Sequence, residues 1–395
     1  MKRVLIVNKF YYNRGGDCVC AINLEKLLKT KGHQVAVFAM QYDENLTSEY
    51  SSYFAPEVSF SGGISSKLNA AKRIFGLGDI KVQFAKILND FKPDIVHLNN
   101  IHSYISPVVA KMAKNFGAKV VWTLHDYKLL CPSYACLRNG KPCELCFNDK
   151  HHILKHKCMK GSTVASLLAH LEAKWWNKAK LEKYTDAFIC PSQFMQSRMQ
   201  LGGFGKLNVV CNFIDPVKLD RFKNIQEVDK RDNYYVYVGR LSTEKGVATL
   251  LKAAKQLPYT LKIVGGGPLK DELMIQYADC KNIEFLGHQD AETVAQLFSK
   301  AKFSIAPSEC YENNPLSVIE SLCAGTPVIG ANIGGIPELI KDNNGLTYNS
   351  GDADSLNQAI DSAWSKVWDY NSIKQESLSA FSPDEHYAKI MSIYE

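Results

Sequence analysis

Between Ser308 and Pro327 the chain reads Ser-Glu-Cys-Tyr-Glu-Asn-Asn-Pro-Leu-Ser-Val-Ile-Glu-Ser-Leu-Cys-Ala-Gly-Thr-Pro, and this stretch constrains the fold more than any other. Pro315 suits the start of a helix, where its missing N–H costs no hydrogen bond. Leu316, Ile319, Leu322 and Cys323 then recur at helical spacing, and Gly325 ends the run. Glu312 therefore sits on the entry loop and Glu320 on the second helical turn. The unpaired N–H groups between Asn313, Asn314 and Leu316, with Pro315 setting the turn, make an anion site carrying roughly half a positive charge. Two carboxylates flanking such a site suit a ligand with sugars at its ends and a diphosphate in its middle. The plainer alternative is an α/β helix with two solvated glutamates.

The remaining chain supplies the strands such a helix would pack on. Val4–Val7, Asp94–Leu98, Val120–Leu124, Asp186–Cys190 and Tyr234–Val238 are short apolar runs, each closed by polar residues or glycine. That is the signature of buried parallel strands alternating with helices. The predicted fold is α/β with two Rossmann-like parallel-sheet domains. The first spans 1–205, with a Cys-rich insertion at about 131–158, and the second spans 206–380. Residues 381–395 form a terminal helix expected to return across the hinge. At 395 residues the chain is long enough for two cores. The first βαβ unit lacks spaced glycines with a following acidic residue, so a dehydrogenase reading is poor.

No apolar run reaches the 18 or so residues needed to span a membrane. The first residues read as a strand, not a signal peptide. Twelve cysteines then imply reduced thiols, and the expected location is the cytoplasm. The net charge of +7 is unevenly spread: residues 1–206 hold 29 Lys and Arg against 15 Asp and Glu, and residues 207–395 hold 18 against 25. A basic first half points to an anionic partner, either the inner membrane face or a phosphate-bearing acceptor. No aromatic–basic motif supports nucleic acid.

Within that half, Leu68–Leu88 interleaves apolar residues with Lys67, Lys72, Arg73, Lys81 and Lys86, and Gly76 and Gly78 should split it into two helices. It suits a membrane surface element or, equally, two helices packed by their apolar faces. Cys143-Glu-Leu-Cys146 is a zinc-type knuckle, and Cys131 and Cys158 would complete a four-thiolate structural site. A set of reduced cysteines in an insertion is the alternative. Polar strand ends at Asn99-Asn100-Ile-His102 and His125-Asp126 lie where open α/β sheets bind ligands.

In the second half, Gly239-Arg240 and Lys245 follow a central strand, Gly265-Gly266-Gly267-Pro268 permits close approach of a ligand, and His288 closes another strand. Arg240 offers forked donors and Lys245 a point charge, the usual complement of phosphate oxygens. In this order, with Gly325-Thr-Pro-Val-Ile-Gly and Gly334-Gly-Ile-Pro-Glu338, these motifs resemble the donor half of the retaining glycosyltransferases of family 4, which have the GT-B fold. The resemblance is strong over about 205–360 and looser before it. It implies a nucleotide-diphosphate sugar as donor and no metal needed for the chemistry. It assigns Glu312 to the sugar hydroxyls, Glu320 to the ribose, main-chain groups near His288 to the base, Gly15 and Gly16 to the donor phosphates, and His125 to the donor sugar. Gly15 and Gly16 also suit a tight turn, and His125 a structural histidine.

The function expected is retaining transfer of a sugar to a glycan or lipid-linked acceptor in cell-surface polysaccharide biosynthesis. Arg240, Lys245, Glu312 and His125 carry the chemistry. Alternatives are a sugar-nucleotide epimerase or phosphorylase of the same architecture, or an inactive nucleotide-sugar-binding protein.

Overall fold

The computed structural model describes residues 1–60, 64–225 and 231–395. The chain divides into two compact units. One comprises Met1–Cys136, Cys143–Val210 and Tyr387–Glu395, and the other Leu137–Pro142 and Cys211–His386.

The first unit is built on six parallel strands: β1 (Arg3–Val7), β2 (Gln34–Phe38), β3 (Ile95–Leu98), β4 (Lys119–Thr123), β5 (Ala187–Cys190) and β6 (Leu207–Val209), in the order β2-β1-β3-β4-β5-β6. Val4, Leu5, Ile6 and Val7 are all buried, as a strand covered on both faces requires. The chain leaves β1 toward β2 and later returns to β1's other side as β3. The loops after β1 and β3 therefore part, and the crevice between them is the place where open sheets take ligands. Leu207–Val209 pairs with β5, so this sheet continues past the glycine-rich stretch at 202–205. The last turns of the terminal helix belong to the same core: Ile390 and Tyr394 are buried, and Tyr394 Oη bonds His97 Nδ1 at 2.6 Å.

Gly76 and Gly78 do separate two helices, Ile64–Ile74 and Ile80–Phe91. Lys67, Lys72, Lys81 and Lys86 are exposed along them, but Arg73 is not. Its guanidinium turns inward, bonding both Asp79 oxygens at 2.7 and 2.9 Å and the Pro56 carbonyl at 2.7 Å. Residues 163–184 form two helices, Thr163–Trp175 and Lys178–Tyr184. Asn177 explains the break, since its side chain caps the second helix through Lys180 N–H. Trp176 is pulled inward, its indole N–H donating to the Ile74 carbonyl at 2.8 Å.

The second unit repeats the plan with β7 (Tyr234–Val238), β8 (Thr260–Val264), β9 (Ile283–Gly287), β10 (Ser304–Ala306), β11 (Val328–Ala331) and β12 (Gly345–Tyr348), ordered β9-β8-β7-β10-β11-β12. All pairings are parallel. Its crevice lies between the loops after β7 and β10. The helix foreseen after Pro315 runs Leu316–Cys323, with Pro315 at its N-cap in extended conformation. Ile319, Leu322 and Cys323 are fully buried beneath it, Ile319 and Leu322 contributing about 1.5–3 kcal/mol each. Gly325 follows with φ of 76°, the left-handed stop that glycine serves best.

Candidate functional site

In the second unit the loops after β7 and β10 are locked together by backbone contact. Gly246 has φ of 67°, and a Cβ there would overlap the Pro307 carbonyl. Glu309 N–H donates to the Glu244 carbonyl at 2.9 Å. Gly334, also left-handed, passes against the Glu312 backbone, and Gly335 N–H donates to the Glu312 carbonyl at 2.7 Å. These approaches aim two side chains at one another: Lys245 and Glu312 form an ion pair, and Ser308 Oγ adds a hydrogen bond to Glu312 Oε1 at 2.8 Å. Burial alone would lower the Lys245 ammonium, but the charge and hydrogen bond of Glu312 raise it above its ordinary value. Lys245 ends a short 3-10 turn, and the following helix starts at Val247.

Arg240 is exposed at the mouth of the same loop. Gly239, Gly265 and Gly266 are partly or fully exposed, and Gly265, at φ of 129°, lies directly against the Gly239 carbonyl. Leu241 N–H donates to the Gly266 carbonyl at 2.9 Å. His288 is exposed one residue beyond β9. Asn314 is buried and spent on structure: its side-chain oxygen accepts from Asn212 N–H at 2.8 Å, and its carbonyl from Asn212 Nδ2 at 2.8 Å. Asn313, Pro315 and Leu316 are partly exposed around it. Glu320 pairs with Lys218, a partner the sequence did not announce because Lys218 lies on the helix Pro216–Asn224, 102 residues away.

The first unit gathers a second set at its own crevice. His125 Nε2 and Asn99 Oδ1 are 2.9 Å apart, and Asn100 Nδ2 donates to Asp17 Oδ2 at 2.9 Å. Lys9, at the end of β1, acts electrostatically on Asp17, His102, His125 and Asp126. Burial by itself would raise the Asp17 carboxyl, yet His125, Lys9 and the Asn100 amide hold it below its ordinary value. Burial raises Asp126 and lowers His125, so each leans toward its neutral form. Gly15 and Gly16 are exposed immediately before Asp17, with nothing against Gly16. Lys9 and Asp17 were missed as site residues. The signal was available: Asn8-Lys9 is a polar strand end of the same kind as Asn99-Asn100 and His125-Asp126.

The proposed zinc quartet finds no support. Among the described residues no group of three or more His, Cys, Asp or Glu side chains is arranged to hold a metal ion. The Cys131 thiol instead shares hydrogen bonds with Cys136 and Cys146, which favour its charged form and push up the other two. Cys143 is engaged through its backbone, its N–H donating to the Cys136 carbonyl at 2.7 Å across a short hairpin of Leu137–Arg138 and Lys141–Pro142. Nearby, a cavity of about 240 Å³ is lined by His102, Lys128, Phe147, Glu172 and Trp176. Its buried charges answer one another, Lys128 Nζ lying 2.9 Å from Glu172 and 2.7 Å from the Pro132 carbonyl.

Two six-stranded parallel sheets, each with polar loops at its switch point, are the architecture of GT-B glycosyltransferases, and the solved structures agree. Sucrose-phosphate synthase from Thermosynechococcus elongatus superposes with a TM-score of 0.69 at 19% identity, covering 100% of this chain and 98% of the other. HepE of Anabaena, solved with UDP and glucose, gives 0.63 at 18% identity, covering 99% of each chain. A protein of the cps region of Klebsiella pneumoniae is 28% identical over 353 residues, spanning 85% of this chain and 87% of its own length. The family pattern described as Glycosyltransferase Family 4 matches residues 14–218, just over half of the chain. Residues 219–377 match the pattern of Glycosyl transferases group 1. The protein belongs to glycosyltransferase family 4, and its activity is that of a glycosyltransferase. Among the described residues no helix is long and apolar enough to cross a membrane.

Proposed function

We propose that the protein moves a hexose from a nucleotide-diphosphate sugar to a glycan or lipid-linked acceptor, with retention of anomeric configuration. The observation that carries this reading is the Lys245–Glu312 pair at the second switch point, set beside exposed Arg240 and the start of the helix Leu316–Cys323. When the sugar–phosphate bond breaks, negative charge grows on the leaving diphosphate. Fixed positive groups there gain strength as the transition state forms. Arg240, Lys245 and the N–H groups near Asn313 and Leu316 supply them. Glu312 takes the sugar hydroxyls, Glu320 the ribose, and Gly239, Gly265, Gly266 and His288 the nucleoside. On the first unit, Gly15, Gly16 and His125 keep the roles the family resemblance implies.

HepE is named in complex with UDP, and with UDP-glucose, which supports a uridine nucleotide as the first donor to try. The cps-region relative supports a place in capsule or other surface polysaccharide assembly. The exposed Leu68, Leu77 and Val82, interleaved with Lys67, Lys72, Lys81 and Lys86, support a peripheral contact with an anionic membrane face in the cytoplasm.

Thermal stabilisation by a panel of nucleoside diphosphates and their sugars tests the donor: a true ligand at ~100 times its dissociation constant adds about 2.7 kcal/mol. Glu312→Gln should weaken the nucleotide-sugar and spare the free diphosphate. Equal weakening of both would remove Glu312 from the sugar. Proton NMR of early product should show the donor's anomeric configuration kept, and an inverted product would overturn retention.

A further inference from the structure

The crevice of the first unit carries three features that the family resemblance did not lead us to expect. The first is a pair of unanswered amide atoms. Asn99 Nδ2 and Asn100 Oδ1 are buried, at 2% and 9% residue exposure, and among the described residues neither has a hydrogen-bond partner. A buried donor and a buried acceptor left unpartnered on consecutive residues cost free energy unless a ligand or a buried water completes them. A sugar hydroxyl does both jobs, since it donates and accepts. Asp17, already bonded to Asn100, offers a second acceptor at the same place.

The second feature is charge. Lys9 and Arg14 make no ion pair among the described residues. Both instead stand over the Phe10 ring, with Lys9 Nζ 5.4 Å and Arg14 Cζ 4.1 Å from its centroid. Lys9 is also 5.9 Å from the Tyr104 ring centre. This contrasts with Lys128 in the adjoining cavity, whose charge is fully answered by Glu172. Two cations held against one aromatic ring, with no carboxylate in ion-pair contact among the described residues, are suited to a doubly charged anion.

The third feature is an aromatic wall. Phe10 packs with Tyr12, Tyr42 and Tyr104 at centroid distances of 5.6, 5.2 and 6.1 Å, and Phe60 sits 5.5 Å from Tyr104. Tyr12, Tyr42, Phe60 and Tyr104 all remain partly exposed. The loop presenting Tyr104 is held in a costly conformation, with Ser103 at φ of 61° and Ser106 at 82°. It is overdetermined by the hydrogen bonds of Ser103 N–H and Oγ to Glu172 at 2.9 and 3.0 Å, and of Ser106 Oγ to the Ile74 carbonyl at 3.1 Å. Strain kept in this way marks a side chain whose position matters.

Resting on the transferase reading above, we propose that this crevice is the acceptor site and that it takes a phosphorylated sugar. Lys9 and Arg14 hold the phosphate, Tyr104, backed by buried Phe10, faces the sugar ring, and Asn99, Asn100 and Asp17 grip its hydroxyls. The phosphate belongs either to a soluble sugar phosphate or to a sugar carried on a lipid diphosphate.

Calorimetric titration of the full chain with a panel of hexose 1-phosphates tests this, with methyl hexosides and inorganic phosphate as comparisons and UDP as control. At least one hexose 1-phosphate should bind at least tenfold tighter than its methyl hexoside and than phosphate. Lys9→Met should erase that advantage, and Tyr104→Ala should weaken both sugars by about fivefold or more. UDP should bind both variants as it binds the parent, which also shows that they are folded. The same titration with a sugar on farnesyl diphosphate, in micelles, reports the source. Tighter binding there names a lipid-linked acceptor, and weaker binding a soluble one. No preference for the phosphorylated sugar, or an unchanged preference in Lys9→Met, overturns the proposal. Failure of UDP to bind the parent chain would instead strike the donor reading and leave the sugar-phosphate result to stand alone.

Discussion

The two units place their chemistry at the same topological position and provision it in opposite ways. At the second switch point, Lys245 already has Glu312, Glu320 has Lys218, and the loops are locked by glycines that admit no side chain. At the first, Lys9 stands over aromatic rings without an ion pair among the described residues, two amide atoms are unanswered, and Gly16 has open space around it. The difference teaches where rigidity is built in. Carboxylate and ammonium that wait paired keep each other positioned until a charged ligand separates them. Buried groups left unpaired instead leave a standing deficit that a bound ligand or a buried water removes.

The largest expected effect tests the paired side. Lys245→Ala should cut turnover by on the order of 10² to 10³, the usual loss for a partner of transition-state charge. Steady-state rates with the donor found by thermal shift check it, and near-normal turnover would mean that Lys245 serves Glu312 alone.

Next comes the contrast in glycines. Gly246→Ala must overlap the Pro307 carbonyl and hold a left-handed φ, so it should lose more than about 2 kcal/mol in urea unfolding. Gly16→Ala meets nothing and should stay within about 0.5 kcal/mol of the parent. Any loss of activity in that second variant is then a loss at the ligand, and full activity would leave Gly16 as part of a turn.

A smaller effect concerns charge at the first crevice. Burial raises Asp126 above its ordinary value, so between that ordinary value and the raised one the folded state binds the proton more tightly than the unfolded chain does. Its contribution to stability therefore falls as pH rises through the raised value, and below the ordinary carboxylate range both states are protonated and it vanishes. Asp126→Asn should raise Tm at pH 7 and leave it nearly unchanged at pH 3. An equal shift at both pH values would point to packing in place of charge.

The smallest effect per residue is at the surface. Replacing Lys67, Lys72, Lys81 and Lys86 by Gln should weaken sedimentation with anionic vesicles at low salt, each lysine contributing about 1 kcal/mol at most. The difference should shrink as salt rises to 1 M, where the Debye length is about 3 Å. A parent protein indifferent to anionic vesicles would end the membrane reading.

What the sequence determined by itself is local. Short apolar runs ending in polar residues or glycine specify buried parallel strands, because only such runs can be covered on both faces. Pro315, the Leu316–Cys323 periodicity and Gly325 specify a helix with both its ends, because capping and left-handed φ are properties of a few neighbouring residues. That Glu312, Lys245 and Arg240 lie on loops at strand ends was legible for the same reason: each closes or follows one of those runs. What only the tertiary structure decided is pairing across distance. Nothing near Glu320 announces Lys218, and nothing near Arg73 announces that Asp79 and the Pro56 carbonyl would draw it inside. The zinc knuckle failed on the same ground, since a Cys-x-x-Cys spacing brings two sulfurs near one another but leaves the placing of the remaining ligands to the fold. Asn8-Lys9 was legible as a polar strand end, but not which groups would surround the lysine. Its meaning comes from Asp17, Tyr104 and His125, which the fold brings around it beside its chain neighbour Phe10.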